Sequence, residues 1–525
     1  MTTLSALTWI GNAAAVLTGP WGAVTAQTQQ AGCSRQTAYT HAHRVQQAIA
    51  ETQGGGPSRA HLRADCHRLQ HENQQLWDAW ADSVPFGSPQ QRRFAVTAAA
   101  LGLSLRQTRA LLACVLPADG CPSRATLDRW VAAAAARASQ VLASLDRACQ
   151  PLVETLCLDE IFCHRQPVLM GVEPHSLAWV LGQRASDRSG ATWHHALHAW
   201  PHLAYVAADN GTGMQLGLER IRQERQQTAS NRALEVGLDI FHTRREGGRA
   251  LRSEWSAAEP IWGKAEQADR ALAQTRQRGQ DSRGDTQRAR QAWRRAEQAF
   301  HSACRREAAW QRASQALNLF RPDGRLNDRA WAAAEIQAAL PALDGPRWAK
   351  VRRMLTDPRS LTFLDRLQRD LAAAEPRPNV RAALVALWRR RHATRPGCGP
   401  KPSGAVAVVL PLVQTLIAGR LEPAWQGAYR RVARVLSRVV RASSVVECLN
   451  SVVRMHQARH RTLRQPLIDL KRLYWNCRAF AEGRREGHCP YAHLGLLLPS
   501  YDWWELLHTA PQELEQKVSS RSMAA

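Results

Sequence analysis

Residues 154–163 read ETLCLDEIFC, and the organisation of the whole chain follows from how that stretch is taken. Leu156, Leu158, Ile161 and Phe162 surround Asp159, Pro151 lies just before the run, and turn signals follow at Arg165 to Pro167. A short apolar run bounded in this way predicts a strand. The strand carries Asp159 into buried surroundings, where a carboxylate without partners is expensive, so a functional role explains it better than a surface position. Glu160 is a rival for the same role, although strand alternation sends it to the opposite face.

Working outward, VLMGVEP (168–174) and LAWVLGQR (177–184) predict two further strands, with turn signals at Pro174 to Ser176 between them. SGATWHHALHAW (189–200) reads as a helix capped by Ser189. LAYVAAD (203–209) is a strand ending at Asp209, followed by Gly211, Gly213 and a helix through Glu224. LEVGLDIFH (234–242) is a fifth strand. Three hairpin-like strands, then helix, strand, helix, strand, is the element order of the ribonuclease H fold, and no other common fold fits it as well. The first and fourth strands are neighbours in that arrangement, so Asp159 and Asp209 would reach one spot.

Strand signals vanish from Arg249 to about Arg441, where Ala, Gln, Arg, Glu and Trp dominate. The fold class expected is therefore α+β and mainly helical: a ribonuclease H-like α/β core interrupted by a helical insertion and preceded by helix-turn-helix-type units. The segments are 1–52 (helix-turn-helix unit), 53–89 (linker and short helix) and 90–150 (a second helical unit for DNA binding or dimerisation). Then come 151–248 (first part of the core), 249–441 (the insertion) and 442–525 (second part of the core). In the first unit, Trp21 to Gln30 is one helix, Gly32 and Cys33 a turn, and Ser34 the cap of a second helix. That second helix would present Arg35, Gln36, Thr37, Tyr39, Thr40, His41 and Arg44, residue types that read base edges. An ordinary helical hairpin has the same local pattern.

Composition points the same way. Lys plus Arg is 70 against 44 acidic residues, a net charge of +26, which draws polyanions. The basic side is almost all Arg, which suits phosphate and guanine edges, although a GC-rich genome would also favour it. The 12 cysteines are scattered without zinc spacing and read as reduced core thiols of a cytosolic protein. No signal peptide is evident, and the most apolar stretch, Gly404 to Leu421, is broken by Pro411 and too short to span a membrane. It reads as a buried helix. A soluble protein of the cytoplasm, associated with the nucleoid and not with membrane, is expected.

Two-metal phosphodiester chemistry needs a few carboxylates converging on ions about 3.5–4 Å apart, and Mg²⁺ favours such oxygen ligands. A third carboxylate has to follow the insertion. In RASSVVECLNSVVRMHQARHRTL (441–463), Ser443 or Ser444 caps a helix on which Glu447, Asn450, Ser451 and Arg454 share a face, with Val446, Leu449 and Val453 on the other. By itself a lone acid on an Arg-rich helix is a salt-bridge partner. The two upstream aspartates tip the reading toward a ligand.

Asp159, Asp209 and Glu447 resemble the acidic triad of the DDE transposases. LDEIF, VAADNGTGMQLGL and SSVVECLNSVVR look like the three carboxylate motifs of bacterial insertion-sequence transposases. Asp239-Ile240-Phe241-His242 is similar to the C/D-x-x-H motif of members that carry a helical insertion. The resemblance covers roughly residues 150 to 505. It implies metal ligation by Asp159, Asp209 and Glu447, two Mg²⁺ ions with Mn²⁺ able to substitute, and cleavage and joining of double-stranded DNA at element ends and target. His242 would assist a proton transfer or orient a carboxylate; a purely structural histidine fits as well. Two ends cut and joined together imply a homo-oligomer. The alternatives are a non-catalytic DNA-binding protein on the same scaffold and a ribonuclease H-like nuclease without strand transfer.

Beyond the third motif, Arg454, Arg459, Arg461, Arg464, Lys471 and Arg472 read as a DNA track, with His456, His460, Trp475 and Arg478 interleaved. Tyr474 belongs with the helical repeat Leu467, Leu470 and Leu473, hence with the core. Trp262, Trp293 and Trp310 are expected between the insertion helices, and Asp502-Trp503-Trp504 as a C-terminal clasp.

Overall fold

The computed structural model describes residues 5–51, 59–81, 86–227, 233–393, 404–457 and 463–522. The chain divides into two compact units, Met1–Gln91 and Arg92–Ala525. It is mainly helical around one five-stranded mixed sheet.

The first unit holds α1 (Ala6–Leu17), α2 (Ala23–Gln30), α3 (Arg35–Glu51) and α4 (Arg59–Ala81). The expected helix, glycine turn and helix are present. Gly32 has φ 60°, a left-handed turn conformation that glycine adopts without strain, and Ser34 Oγ accepts from the Thr37 N–H at 3.1 Å. Helix α1 was not singled out from sequence, and it changes one assignment. His41 is buried against it, with Asn12 Nδ2 3.3 Å from His41 Nδ1 and the Trp9 ring 5.4 Å away. It is therefore not presented beside Arg35, Gln36, Tyr39 and Arg44, which are exposed; Thr37 is half-buried. Trp21 stands fully exposed ahead of α2.

In the second unit, α5 (Ser88–Leu101), α6 (Leu105–Ala113) and α7 (Arg124–Cys149) precede β1 (Thr155–Cys163), β2 (Gln166–Glu173) and β3 (Ala178–Arg184). Then come α8 (Gly190–His198), β4 (Tyr205–Ala208), α9 (Thr212–Gln227) and β5 (Glu235–Leu238). The sheet order is β3-β2-β1-β4-β5, with β1–β2 and β2–β3 antiparallel and β1–β4 and β4–β5 parallel. The neighbouring of β1 and β4 is as expected. Ser189 caps α8 as read, and Ser104 and Ser123 cap α6 and α7, each accepting a backbone N–H three residues on.

Strand alternation sorts the two faces. Leu156, Leu158, Leu169, Val206 and Ala208 pack with α5, α7, α8 and α9. Cys157, Ile161, Met170, Tyr205 and Ala207 point to the other face, where Val446, Leu449 and Val453 cover them. Residues 90–150 thus give α5 and α7 to the core that holds the sheet. Cys149, Cys157, Cys163, Cys477 and Cys489 are buried thiols, whereas Cys66, Cys114 and Cys448 are exposed, against the expectation for core cysteines.

The fifth strand is shorter than expected. It stops at Leu238, because Asp239 Oδ1 accepts the Phe241 N–H at 2.7 Å and starts a helix with Ile240, Phe241 and His242 in its first turn. This is α10 (Ile240–Gln277), which returns as α11 (Arg283–Ala316). Their seam is small: Ala258, Ala265 and Leu272 on one helix and Ala289, Ala296, Ala303 and Trp310 on the other are buried at seven-residue spacing, a heptad register. Trp262 and Trp293 meet edge to face at 5.1 Å, between the helices as expected. The insertion continues through α12 (Arg329–Ala339), α13 (Ala349–Thr356), α14 (Thr362–Ala374), α15 (Pro378–Arg391), α16 (Ala405–Gly419) and α17 (Pro423–Ser437). Its core includes Trp310, Phe320, Trp348, Leu364, Trp388 and Val432.

The apolar segment read as a buried helix does form α16, but Val406, Val408, Val409, Leu412, Val413, Leu416 and Ile417 are exposed. Apolar composition fixed the helix and not its cover. Among the described residues no helix is long and apolar enough to cross a membrane.

Backbone pairing closes the insertion on itself: the Ile240 N–H donates to Arg441 C=O at 3.0 Å. The chain therefore leaves and re-enters beside β5, and α18 (Ser444–Gln457) is delivered to the sheet. Then follow α19 (Gln465–Cys477), α20 (Pro490–Leu494), α21 (Trp503–His508) and α22 (Pro511–Ser522). Asp502 caps α21 and pairs with Arg93 at 2.8 Å, while Trp503 is buried edge-on against half-buried Tyr474. The clasp and the core reading of Tyr474 agree with this packing.

Candidate active site at the ends of the central strands

Parallel register sets the first two carboxylates side by side. Leu158 pairs with Ala208, the last pair of the β1–β4 ladder, so Asp159 and Asp209 are the next residues on adjacent strands. Such strands lie about 4.8 Å apart, and residues in step point to the same face. That face is the one α18 covers. Asn450, one helical turn after Glu447, donates from Nδ2 to Asp159 Oδ2 at 2.7 Å. Glu447 is partly exposed, with Arg245 at 4.0 Å and Arg454 at 3.8 Å, both long contacts. Alternation sends Glu160 the other way, to an ion pair with Arg188 at 2.6 Å.

Burial pushes the Asp159 carboxyl up to about 6, and the charge of Asp209 adds to the rise; the Glu160 N–H, His242 and Asn450 oppose it. Its folded pKa lies above the unfolded value, so the folded state holds the extra proton. Stability therefore falls as pH climbs from about 4 through about 6 and stays reduced above that. Asp159→Asn is expected to raise the stability of the metal-free protein at pH 7 by about 2 kcal/mol. A shift of roughly two units corresponds to about 3 kcal/mol, less one weakened hydrogen bond. Urea unfolding with and without Mg²⁺ measures this, and Mg²⁺ should stabilise only the wild type.

His242 sits one helical turn into α10, with Nδ1 2.5 Å from Asp239 Oδ2. The hydrogen bond to Asp239 raises the His242 pKa against the opposing effect of burial, and the charges of Asp239, Asp159 and Asp209 add to the rise. Burial works against the Asp239 charge, but His242, the Ser443 hydroxyl and the Phe241 N–H hold its pKa low. Ser443 thus donates to Asp239 at 2.5 Å and precedes α18, which begins at Ser444. Asp239 and Asn450 are the positioning residues that sequence reasoning left without a role. The D-x-x-H spacing and the three-residue step from Glu447 were the available signals.

The loop after β4 is fixed by close packing. Asp209 Oδ1 accepts from the Gly211 N–H at 2.9 Å, Gln215 Nε2 donates to Asp209 C=O at 2.5 Å, and Arg359 of the insertion reaches Asn210 and Gln215. A Cβ at Gly213 would stand 1.8 Å from Arg188 C=O. Gly213→Ala is therefore expected to lose about 1–3 kcal/mol in denaturant melts and to weaken Mg²⁺ stabilisation as the loop shifts.

Lys471 and Arg472 correct the sequence reading. Both are buried: Lys471 Nζ donates to Ala100 C=O, and Arg472 reaches Val180 C=O at 2.6 Å and Asp146 at 2.5 Å. Burial, reinforced by Arg478, depresses the Lys471 pKa to about 8. Both side chains are turned inward, because α19 lies with that side against α7 and β3. Arg454 and Arg464 are exposed, and Arg459 and Arg461 lie outside the described residues.

No protein-family model matches the chain, and no curated protein is detectably similar to it.

The donor set suits a hard divalent cation: Asp159 is a buried carboxylate whose ionisation is penalised, beside a second carboxylate of like charge. Among the described residues, no set of three ligands that includes these carboxylates has its atoms within 4.8 Å of one another. One ion cannot gather all three as they stand. Two-metal sites, with ions about 4 Å apart, draw on carboxylates spread more widely than a single ion can gather.

Proposed function

We propose that this chain is a DNA transposase of the DDE type, built on a ribonuclease H-like core, which cleaves and joins DNA strands at the ends of a mobile element. The observation that carries this is the in-register pair Asp159 and Asp209 on adjacent parallel strands, with α18, the helix that carries Glu447, covering the same face and reaching Asp159 through Asn450. The sheet order and the helical insertion between the second and third carboxylates support it.

Asp159, Asp209 and Glu447 would hold two Mg²⁺ ions, or Mn²⁺ in their place. Bound there, the ions would supply activation of a water or a 3′-hydroxyl and stabilisation of the leaving oxygen. Asn450 orients Asp159. His242, oriented by Asp239, would assist a proton transfer or orient a carboxylate. Arg35, Gln36, Thr37, Tyr39 and Arg44 on α3 would read DNA in the major groove, with Arg454 and Arg464 on phosphates. Joining two ends requires at least two copies, working on DNA in the cytoplasm.

A second reading is a non-catalytic DNA-binding protein, favoured by the Arg245 and Arg454 contacts that make Glu447 an ion-pair partner. The test is cleavage and joining of duplexes carrying the sequences that flank the gene, with Mg²⁺, by wild type and Glu447→Gln. The transposase reading expects products from the wild type and none from the variant. DNA binding without cleavage by either protein would favour the second reading.

A further inference from the structure

We infer a second, chemically different metal site on the helices beside the sheet: His194, His198 and Glu224 form a site for Zn²⁺ or a similar borderline transition-metal ion. His194 and His198 lie four residues apart on α8, so their imidazoles share a face. Glu224 comes from α9, with Oε2 2.8 Å from His194 Nε2 and 3.8 Å from His198 Nδ1. Among the described residues this is the one trio of potential ligands whose donor atoms all lie within 4.8 Å of one another.

The packing explains why so short a side chain as glutamate reaches both rings. Helices α8 and α9 cross on glycine: a Cβ at Gly217 would stand 2.6 Å from Trp193 Cβ and 2.9 Å from His194 N, and one at Gly190 2.8 Å from Leu216 Cβ. Two imidazoles and a carboxylate are the ligand set that Zn²⁺ takes with bonds of about 2.0–2.2 Å, leaving a fourth position for water. Donor atoms around such an ion stand roughly 3.3 Å apart, so the 2.8 and 3.8 Å separations need only small rotamer changes. Hard Mg²⁺ disfavours two nitrogen ligands, which separates this site from the carboxylates. The His194 hydrogen bond holds the Glu224 carboxyl below its usual range, and Arg220, which adds to this, is the nearby cation an ion would have to tolerate.

Position gives the site a role. The N-terminal ends of α8 and α9 carry Arg188 and Gly213, which pack together beside Asp209, whereas His198 is at the far end of α8, on the order of 12 Å along the helix. An ion there clips the two helices together behind the loop that aims Asp209.

Titration of chelator-stripped full-length protein with ZnCl₂, in excess Mg²⁺, tests the site. The wild type should bind one Zn²⁺ that His198→Gln and Glu224→Gln each weaken about tenfold or more, while Asp209→Asn leaves it intact. Zn²⁺ should raise Tm in the wild type and not in His198→Gln. Co²⁺ in place of Zn²⁺ should show a visible spectrum without thiolate charge transfer. The His198 side chain is 72% exposed, so that variant should fold, and circular dichroism checks it. Equal Zn²⁺ affinity in wild type and both variants, or none in the wild type, would overturn the assignment.

Discussion

Asp209→Asn is expected to lower Mg²⁺-dependent DNA cleavage by about three orders of magnitude or more, with fold and DNA affinity unchanged. An asparagine at this position keeps the acceptor for the Gly211 N–H and leaves the Gln215 contact to the backbone carbonyl untouched. What it removes is charge, beside a carboxylate that burial already penalises. The Asp159 pKa, raised in part by Asp209, should then move down, so the metal-free protein should be no less stable than wild type. A cleavage time course at fixed Mg²⁺ reads the first effect, and the salt dependence of DNA binding reads the second. Loss of activity with loss of fold would not be the expected pattern; loss with full stability is. Cleavage at the wild-type rate would take Asp209 out of the chemistry.

Asp146→Ala should destabilise the protein by about 3 kcal/mol, because it leaves the buried Arg472 guanidinium without its counter-ion. Burial opposes the Arg472 charge, and Asp146, helped by Asp469, outweighs it. Removing both charges together, as Asp146→Leu with Arg472→Met, should return stability to within about 1–2 kcal/mol of wild type, since a packed apolar pair replaces a costly ionic one. Urea melts of the two singles and the double measure this. The same variants separate structural from DNA-binding arginines. Arg472→Met should leave the salt slope of DNA affinity unchanged, whereas Arg464→Ala, on an exposed side chain, should reduce it by about one.

The contrast between those two arginines marks how far the sequence could be read. Local signals served well where the decisive neighbours are near in the chain. The alternation in ETLCLDEIFC placed Asp159 and Glu160 on opposite faces, and the two carboxylates of that pair do go to Asn450 and to Arg188. Three hairpin-like strands followed by helix and strand gave the pairing of β1 with β4, and with it the juxtaposition of Asp159 and Asp209. Serine caps marked helix starts at Ser34 and Ser189.

Long-range cover was not legible. Periodicity says that α19 has two faces, but Lys471 and Arg472 are buried by Ala100, Asp146 and Val180, which lie some 300 residues away or more. The reverse happened at α16, where an uncharged sequence was taken for core and seven apolar side chains are exposed. Asp239 was read into a strand because its neighbours are apolar. It caps the Phe241 N–H and meets His242 locally, but its contact with Ser443 depends on the return of the chain at Arg441, 202 residues later by number. Glu447 was found through a helical face, yet what that face meets depends on the insertion closing on itself.

The most direct test of the central claim replaces Mg²⁺ with Fe²⁺ in the full-length protein and adds ascorbate and peroxide, so that hydroxyl radicals cut the backbone beside the bound ion. Three cleavage sites are expected together, near Asp159, near Asp209 and in α18 near Glu447, all suppressed by excess Mg²⁺ and lost in Asp209→Asn. Cuts at the first two sites with none in α18, or cuts only around residues 194–224, would contradict a metal centre shared by the three carboxylates.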